Sequence, residues 1–91
     1  MLTENGLPAV IIPVFNAPIE LDGCLSSLHD TIPRDAEVII IDDASTDFKT
    51  GRVLAKWNSL RGSRWRFLSN SENLGFVATV NRGMSLAGGD V

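Results

Sequence analysis

Three acids and two hydroxyls end an apolar run in the segment VIIIDDASTD, Val38 to Asp47. Side chains of these types can accept hydrogen bonds from a nucleobase or ribose, hold a metal ion, or cap a helix. Val38, Ile39, Ile40 and Ile41 are β-branched without alternation, the pattern of a strand covered on both faces of a parallel sheet. Asp42 and Asp43 then fall at its carboxyl end, in the crevice where open α/β sheets bind ligands. Ser45, Thr46 and Asp47 stand where the next helix needs its N-cap, so capping and ligand binding are both open for Asp47. Asp42 and Asp43 lie too early in the chain to cap that helix.

A second candidate turn, PVFNAP, precedes the first helix. Phe15 can stack on a base while Asn16 hydrogen-bonds it; the alternative for Phe15 is packing beneath the helix. The turn lacks the glycines that let a dinucleotide pyrophosphate approach the backbone, and no glycine-rich run ends in Lys and Ser or Thr as a P-loop does. Cys24 is the single cysteine, so no internal disulfide forms and a reducing compartment is the simplest setting. Its spacing with Leu21, Leu25 and Leu28 predicts a core position. His29, five residues on, points to another helix face, so the two make neither a nucleophilic pair nor a zinc site. With a net charge of −3 the chain has no basic footprint for nucleic acid. The cluster Arg61, Arg64 and Arg66 reads as a solvated loop before a strand.

The elements that position these groups follow from periodicity. Ala9 to Val14 is a first strand, with Pro13 near its end, and Ile19 to His29 an amphipathic helix. Pro33 separates that helix from a second strand, Glu37 to Asp42. Val53, Leu54, Trp57 and Leu60 mark a second helix closed by Gly62; Trp65 to Ser69 is a third strand; Asn73 to Ala87 is a third helix ended by Gly88-Gly89. Strands alternating with helices imply right-handed parallel crossovers and a Rossmann-like, three-layer α/β architecture. At 91 residues, 44% hydrophobic and 21% charged, the chain is long enough for one modest core. No basic region precedes the first apolar run, which is too short to span a bilayer, and a cytoplasmic protein is expected. The sequence stops at Asp90-Val91, where a further strand is expected, and so reads as a piece whose next element is absent.

VIIPVFN, VIIIDDASTD and NLGFVATVNRGM, in this order and spacing, resemble the N-terminal half of a family 2 glycosyltransferase of the GT-A fold. The resemblance covers essentially the whole chain. It implies that a sugar passes from a nucleoside diphosphate sugar to an acceptor hydroxyl. It also implies roles: Pro13 and Phe15 line the nucleobase pocket, Asn16 holds the turn, Asp43 binds the base and Asp42 shapes its turn. Asn73 and Gly75 form the loop before the third helix, and Asn81 faces the donor pocket. Asn81 also shares a helical face with Val77, Ala78 and Met84, where an amide needs a partner, backbone or ligand.

A divalent metal, Mg or Mn, is implied for the complete enzyme, but the family's metal-binding Asp-x-Asp and catalytic base are not in these 91 residues. The chain alone is therefore expected to be inactive. Asp90 has no flanking carboxylate, and Ala17-Pro18 stand where the family often places an acid. In the implied fold the first strand is central, so without a fourth strand its free apolar edge predicts a homo-oligomer. A receiver-like signalling module, suggested by VIIIDDAS, is the alternative. It leaves Ala9 to His29 unexplained and lacks a phosphoacceptor aspartate after a strong apolar strand.

Overall fold

The computed structural model describes residues 9–33, 35–60 and 64–87. Six elements alternate: β1 (Ala9–Val14), α1 (Pro18–Thr31), β2 (Glu37–Asp42), α2 (Phe48–Leu60), β3 (Trp65–Ser69) and α3 (Phe76–Leu86). The strands form one parallel sheet in the order β1-β2-β3, with Val10 opposite Val38 and Val38 opposite Trp65. All three strands match their expected limits. β2 lies at the centre, and Val38, Ile39, Ile40 and Ile41 are fully buried, which is why the run has no polar alternation.

The two faces of the sheet are covered differently. On one, Val10, Ile12, Val38, Ile40, Trp65 and Phe67 pack with Leu21, Leu25 and Leu28 of α1 and with Val53, Leu54 and Trp57 of α2. On the other, α3 packs on β1 and β2 through Gly83, which meets Ile11 and Ile41. The crossover helices α1 and α2 thus share a face, while α3 covers the opposite one. The carboxyl ends of β1 and β2 open between α1 and α3, the arrangement in which α/β sheets bind ligands.

Gly83 sets how closely α3 approaches. A Cβ there would lie 2.5 Å from Cγ2 of Ile11 and 3.2 Å from Cδ1 of Ile41. Cγ2 branches directly from the Ile11 Cβ and cannot swing aside without a new rotamer. Gly83→Ala is therefore expected to destabilise by about 1–3 kcal/mol, the usual cost of overpacking, despite alanine's better helix propensity. Urea unfolding checks this; a more stable variant would show that the helix can ride higher on the sheet.

Helix limits shift at both ends of α1, which runs on to Thr31 rather than His29, and of α3, which ends at Leu86 rather than Ala87. α1 starts at Pro18 rather than Ile19, because proline suits the first helical position, where no N–H is needed. α3 starts at Phe76 rather than Asn73, because Gly75, with φ +91° and ψ 166°, lies outside the helical region and stands as the N-cap. Cys24 is exposed, contrary to its expected core position. It lies on the flank of α1 beside Ile12 and Pro13 of the edge strand β1, where no further described strand covers it. Among the predicted basic cluster, Arg64 is exposed, but Arg66 is half-buried in β3 and donates to the Leu86 carbonyl at the end of α3. It also pairs with Glu37 at 3.5 Å. The predicted helix stops Gly62 and Gly88-Gly89, and Arg61, Asp90 and Val91, lie outside the described residues.

Candidate functional site

The turns leaving β1 and β2 are stitched together by Asn16. Its Oδ1 accepts the N–H groups of Thr46 at 3.0 Å and Asp47 at 2.9 Å, and its own N–H donates to the Ser45 hydroxyl. Asp42 accepts the Ser45 N–H at 3.0 Å, closing the second turn. Asp47 accepts the Lys49 N–H and so caps α2, which resolves its two readings in favour of the cap. Asn16, Ala17 and Ala44 all have φ near +60°. A left-handed conformation costs an alanine about 1–2 kcal/mol, so strain is concentrated at this end of the sheet.

Asp43 sits deeper, 4% exposed, with its N–H bonded to the Val14 carbonyl. Oδ1 accepts the Leu74 N–H at 2.7 Å and the Asn70 amide at 2.9 Å; Oδ2 accepts the Gly75 N–H at 2.9 Å. The Asn73 amide donates to the Asp43 carbonyl. One carboxylate thus folds the whole β3–α3 loop around itself. The Leu74 N–H above all, followed by the Asn70 amide, holds its pKa below the ordinary aspartate value, outweighing the opposing effect of burial. The Gly75 N–H and the Thr79 hydroxyl add to the same effect, so four protein donors surround this carboxylate.

Pro13, Val14, Phe15, Asp43, Asn73, Gly75 and Phe76 line a cleft of about 470 Å³. Five residues singled out in the sequence, Pro13, Phe15, Asp43, Asn73 and Gly75, converge here. Phe15 is 51% exposed in this cleft and does not pack beneath α1. Asn16 and Asp42 stand behind it, as turn supports. Asn81 is exposed on α3 and is not among the lining residues. Val77, Ala78 and Met84, expected to share its helical face, are exposed as well, because the buried face of α3 is that of Thr79 and Gly83.

Sequence reasoning missed Asn70, Thr79 and Arg82. The buried Asn70 amide donates to Asp43 and, at 3.0 Å, to the Thr79 hydroxyl, while its Oδ1 accepts from Arg82 at 2.7 Å. The available signal was the polar break at Asn70 directly after an apolar strand. Among the described residues no three His, Cys, Asp or Glu side chains gather as a metal site would require. The receiver alternative is unsupported: Asp42 holds a turn and Asp43 collects N–H donors, which leaves no open acid pair for a cation.

Comparison with known proteins agrees with this architecture. The family model for glycosyl transferase family 2 matches residues 9–91. An uncharacterised glycosyltransferase of Haemophilus influenzae is 31% identical over 83 residues, covering 91% of this chain and 25% of the relative. The undecaprenyl-phosphate 4-deoxy-4-formamido-L-arabinose transferase of Aeromonas hydrophila is 32% identical over 92 residues, covering 98% and 28%. Among solved structures, a mannosyltransferase from Pyrobaculum calidifontis in complex with GDP-Man and Mn2+ superposes with a TM-score of 0.76 at 26% identity. That match covers 87% of this chain and 24% of the neighbour. The chain thus spans about a quarter of the length of the relatives it matches. With the parallel sheet, the cleft at its carboxyl end and the family match over 9–91 in agreement, the chain belongs to glycosyl transferase family 2, with the α/β architecture of a GT-A enzyme.

Proposed function

We propose that these elements are the nucleotide-sugar-binding portion of a family 2 glycosyltransferase, which passes a sugar from a nucleoside diphosphate sugar to an acceptor hydroxyl. The observation that carries this reading is the cleft between Phe15 and the Asp43-centred loop. Phe15 offers an exposed ring face for stacking on a base, Pro13 and Gly75 complete the walls, and the Asp43 carboxylate at the cleft wall suits one ring N–H of uracil or guanine. The solved neighbour's GDP-Man supports a nucleotide-sugar donor.

In the transfer itself, the acceptor oxygen forms a bond to the anomeric carbon, the bond to the diphosphate breaks, and a base takes the acceptor proton. We read that base as lying outside the described residues, among which no cluster of metal ligands gathers. The donor set around Asp43 is built from N–H groups and does not fit a cation, so Mg or Mn of the complete reaction takes its ligands elsewhere. Asn81, which the family resemblance turns toward the donor, does not line this cleft, and its exposed amide is left for parts of the donor beyond it. A free exposed thiol at Cys24 supports a reducing, cytoplasmic setting. No described helix is long and apolar enough to cross a membrane.

Titration calorimetry of the 91-residue chain with uridine and guanosine diphosphates tests the binding reading. Binding of either, lost on Phe15→Ala, is expected; no heat with both would overturn it. Sugar transfer by the same chain is expected to be absent. Among the described residues β1 is an edge strand and Ile19 of α1 is exposed, which supports self-association of these 91 residues; sedimentation at micromolar concentration is expected to show a dimer rather than a monomer.

A further inference from the structure

Arg82 does not line the Phe15–Asp43 cleft, yet it ends in the hydrogen-bond network that shapes it. Its Nη1 donates to the Ser69 carbonyl at 3.0 Å and to Asn70 Oδ1 at 2.7 Å. Asn70 is 8% exposed, and its backbone N–H is bonded to the Asp42 carbonyl at 2.8 Å. An amide has two nearly isosteric orientations, and only one puts its NH2 group against Asp43 Oδ1 and Thr79 Oγ1. The other would set a carbonyl oxygen against a carboxylate. A cation on Oδ1 polarises the amide and selects the productive orientation.

We propose that Arg82 is a positioning residue for the nucleotide site, acting through Asn70 to fix Asp43 and, through Asp43, the loop of Leu74 and Gly75. The chain of contacts runs from guanidinium to amide to carboxylate to backbone N–H, each link 2.7–2.9 Å long. The guanidinium and the carboxylate, of opposite charge, flank one neutral amide. Helix geometry makes this reach possible: Thr79 and Arg82 lie three residues apart on α3 and project on one side, toward Asn70 at the end of β3. Arg82 therefore ties the first two turns of α3 to the strand end, whereas the cleft touches only Phe76 of that helix. The consequence for binding rests on the reading of the cleft as a nucleotide site; the consequence for the loop does not.

The test is Arg82→Met, which keeps the aliphatic stem and removes every donor, beside Arg82→Lys, which restores one. Amide hydrogen exchange of the 91-residue chain at Leu74 and Gly75 is expected to accelerate about tenfold or more in Arg82→Met and to return most of the way in Arg82→Lys. Protection of β1 and β2 stays unchanged. Affinity for uridine or guanosine diphosphate, whichever the unaltered chain binds, falls about tenfold in Arg82→Met and recovers in Arg82→Lys. Unchanged exchange at Leu74 and Gly75 overturns the proposal, and so does acceleration spread equally over β1 and β2, which would mark a general loss of stability. If the unaltered chain binds neither nucleotide, the functional reading fails while the exchange result still decides the role of Arg82.

Discussion

Asp43→Asn is expected to weaken nucleoside diphosphate binding by the chain roughly 10- to 150-fold, the range for losing hydrogen bonds to a charged group. The side chain changes little in shape. Its chemistry changes at the point where the cleft is built: an NH2 replaces one oxygen of a group surrounded by the Leu74, Gly75 and Asn70 donors. Donor then faces donor, at least one N–H is orphaned, and the loop bearing Asn73 and Gly75 leaves its place beside Phe15. Calorimetry on the folded variant measures this, and unchanged affinity would remove Asp43 from the site.

The same carboxylate governs the acid limb of stability. Its folded pKa lies below the unfolded value of about 3.9, with the Leu74 N–H as the main cause. Its contribution is therefore present above that value and lost as pH falls from about 4 through the lower folded pKa. Asp22, lowered mainly by Lys56 and then by the Trp57 indole, adds in the same direction. Thermal unfolding between pH 7 and 3 is expected to show a steeper loss for the unaltered chain than for Asp43→Asn.

Trp57→Ala is expected to cost about 3–5 kcal/mol, the range for removing a buried aromatic from a core. Trp57 stacks on Trp65 at a centroid distance of 6.2 Å and an interplanar angle of 21°, with His29 5.6 Å away. Its indole N–H donates to Asp22 at 2.7 Å, joining α2 to α1. A small domain has a total stability of about 5–15 kcal/mol, so this one change takes much of it. Trp57→Phe keeps an aromatic ring but loses the N–H bond to a carboxylate and part of the buried indole, with an expected cost of about 1.5–3 kcal/mol. Urea midpoints separate the two; equal midpoints for Ala and unaltered chains would show that the α1–α2 layer contributes little.

The sequence by itself determined the strands and the order of elements, because a run such as Val38 to Ile41 has one stable place in a parallel sheet, the centre. It also located the two turns that carry chemistry, since Asp42 and Asp43 follow that run directly and Asn16 follows the neighbouring strand. For Asp47 local rules offered the cap as one of two readings, and its bond to the Lys49 N–H, two residues on, decided for it. Only the tertiary structure decided what Asp43 does. Its donors Asn70, Leu74 and Gly75 lie 27 to 32 residues away in sequence, a separation with no periodic signature. The same long-range contacts hold Leu74 and Gly75 in the loop before α3, whose N-cap Gly75 has a left-handed φ of +91°. Burial on helices followed likewise from placement in the sheet. Cys24 and Asn81 have helical spacing with apolar neighbours, yet Cys24 borders the edge strand β1 and Asn81 lies off the face that Gly83 presses onto Ile11. Periodicity shows that a helix has an apolar side; only the packed strands show how wide a stripe of it they cover.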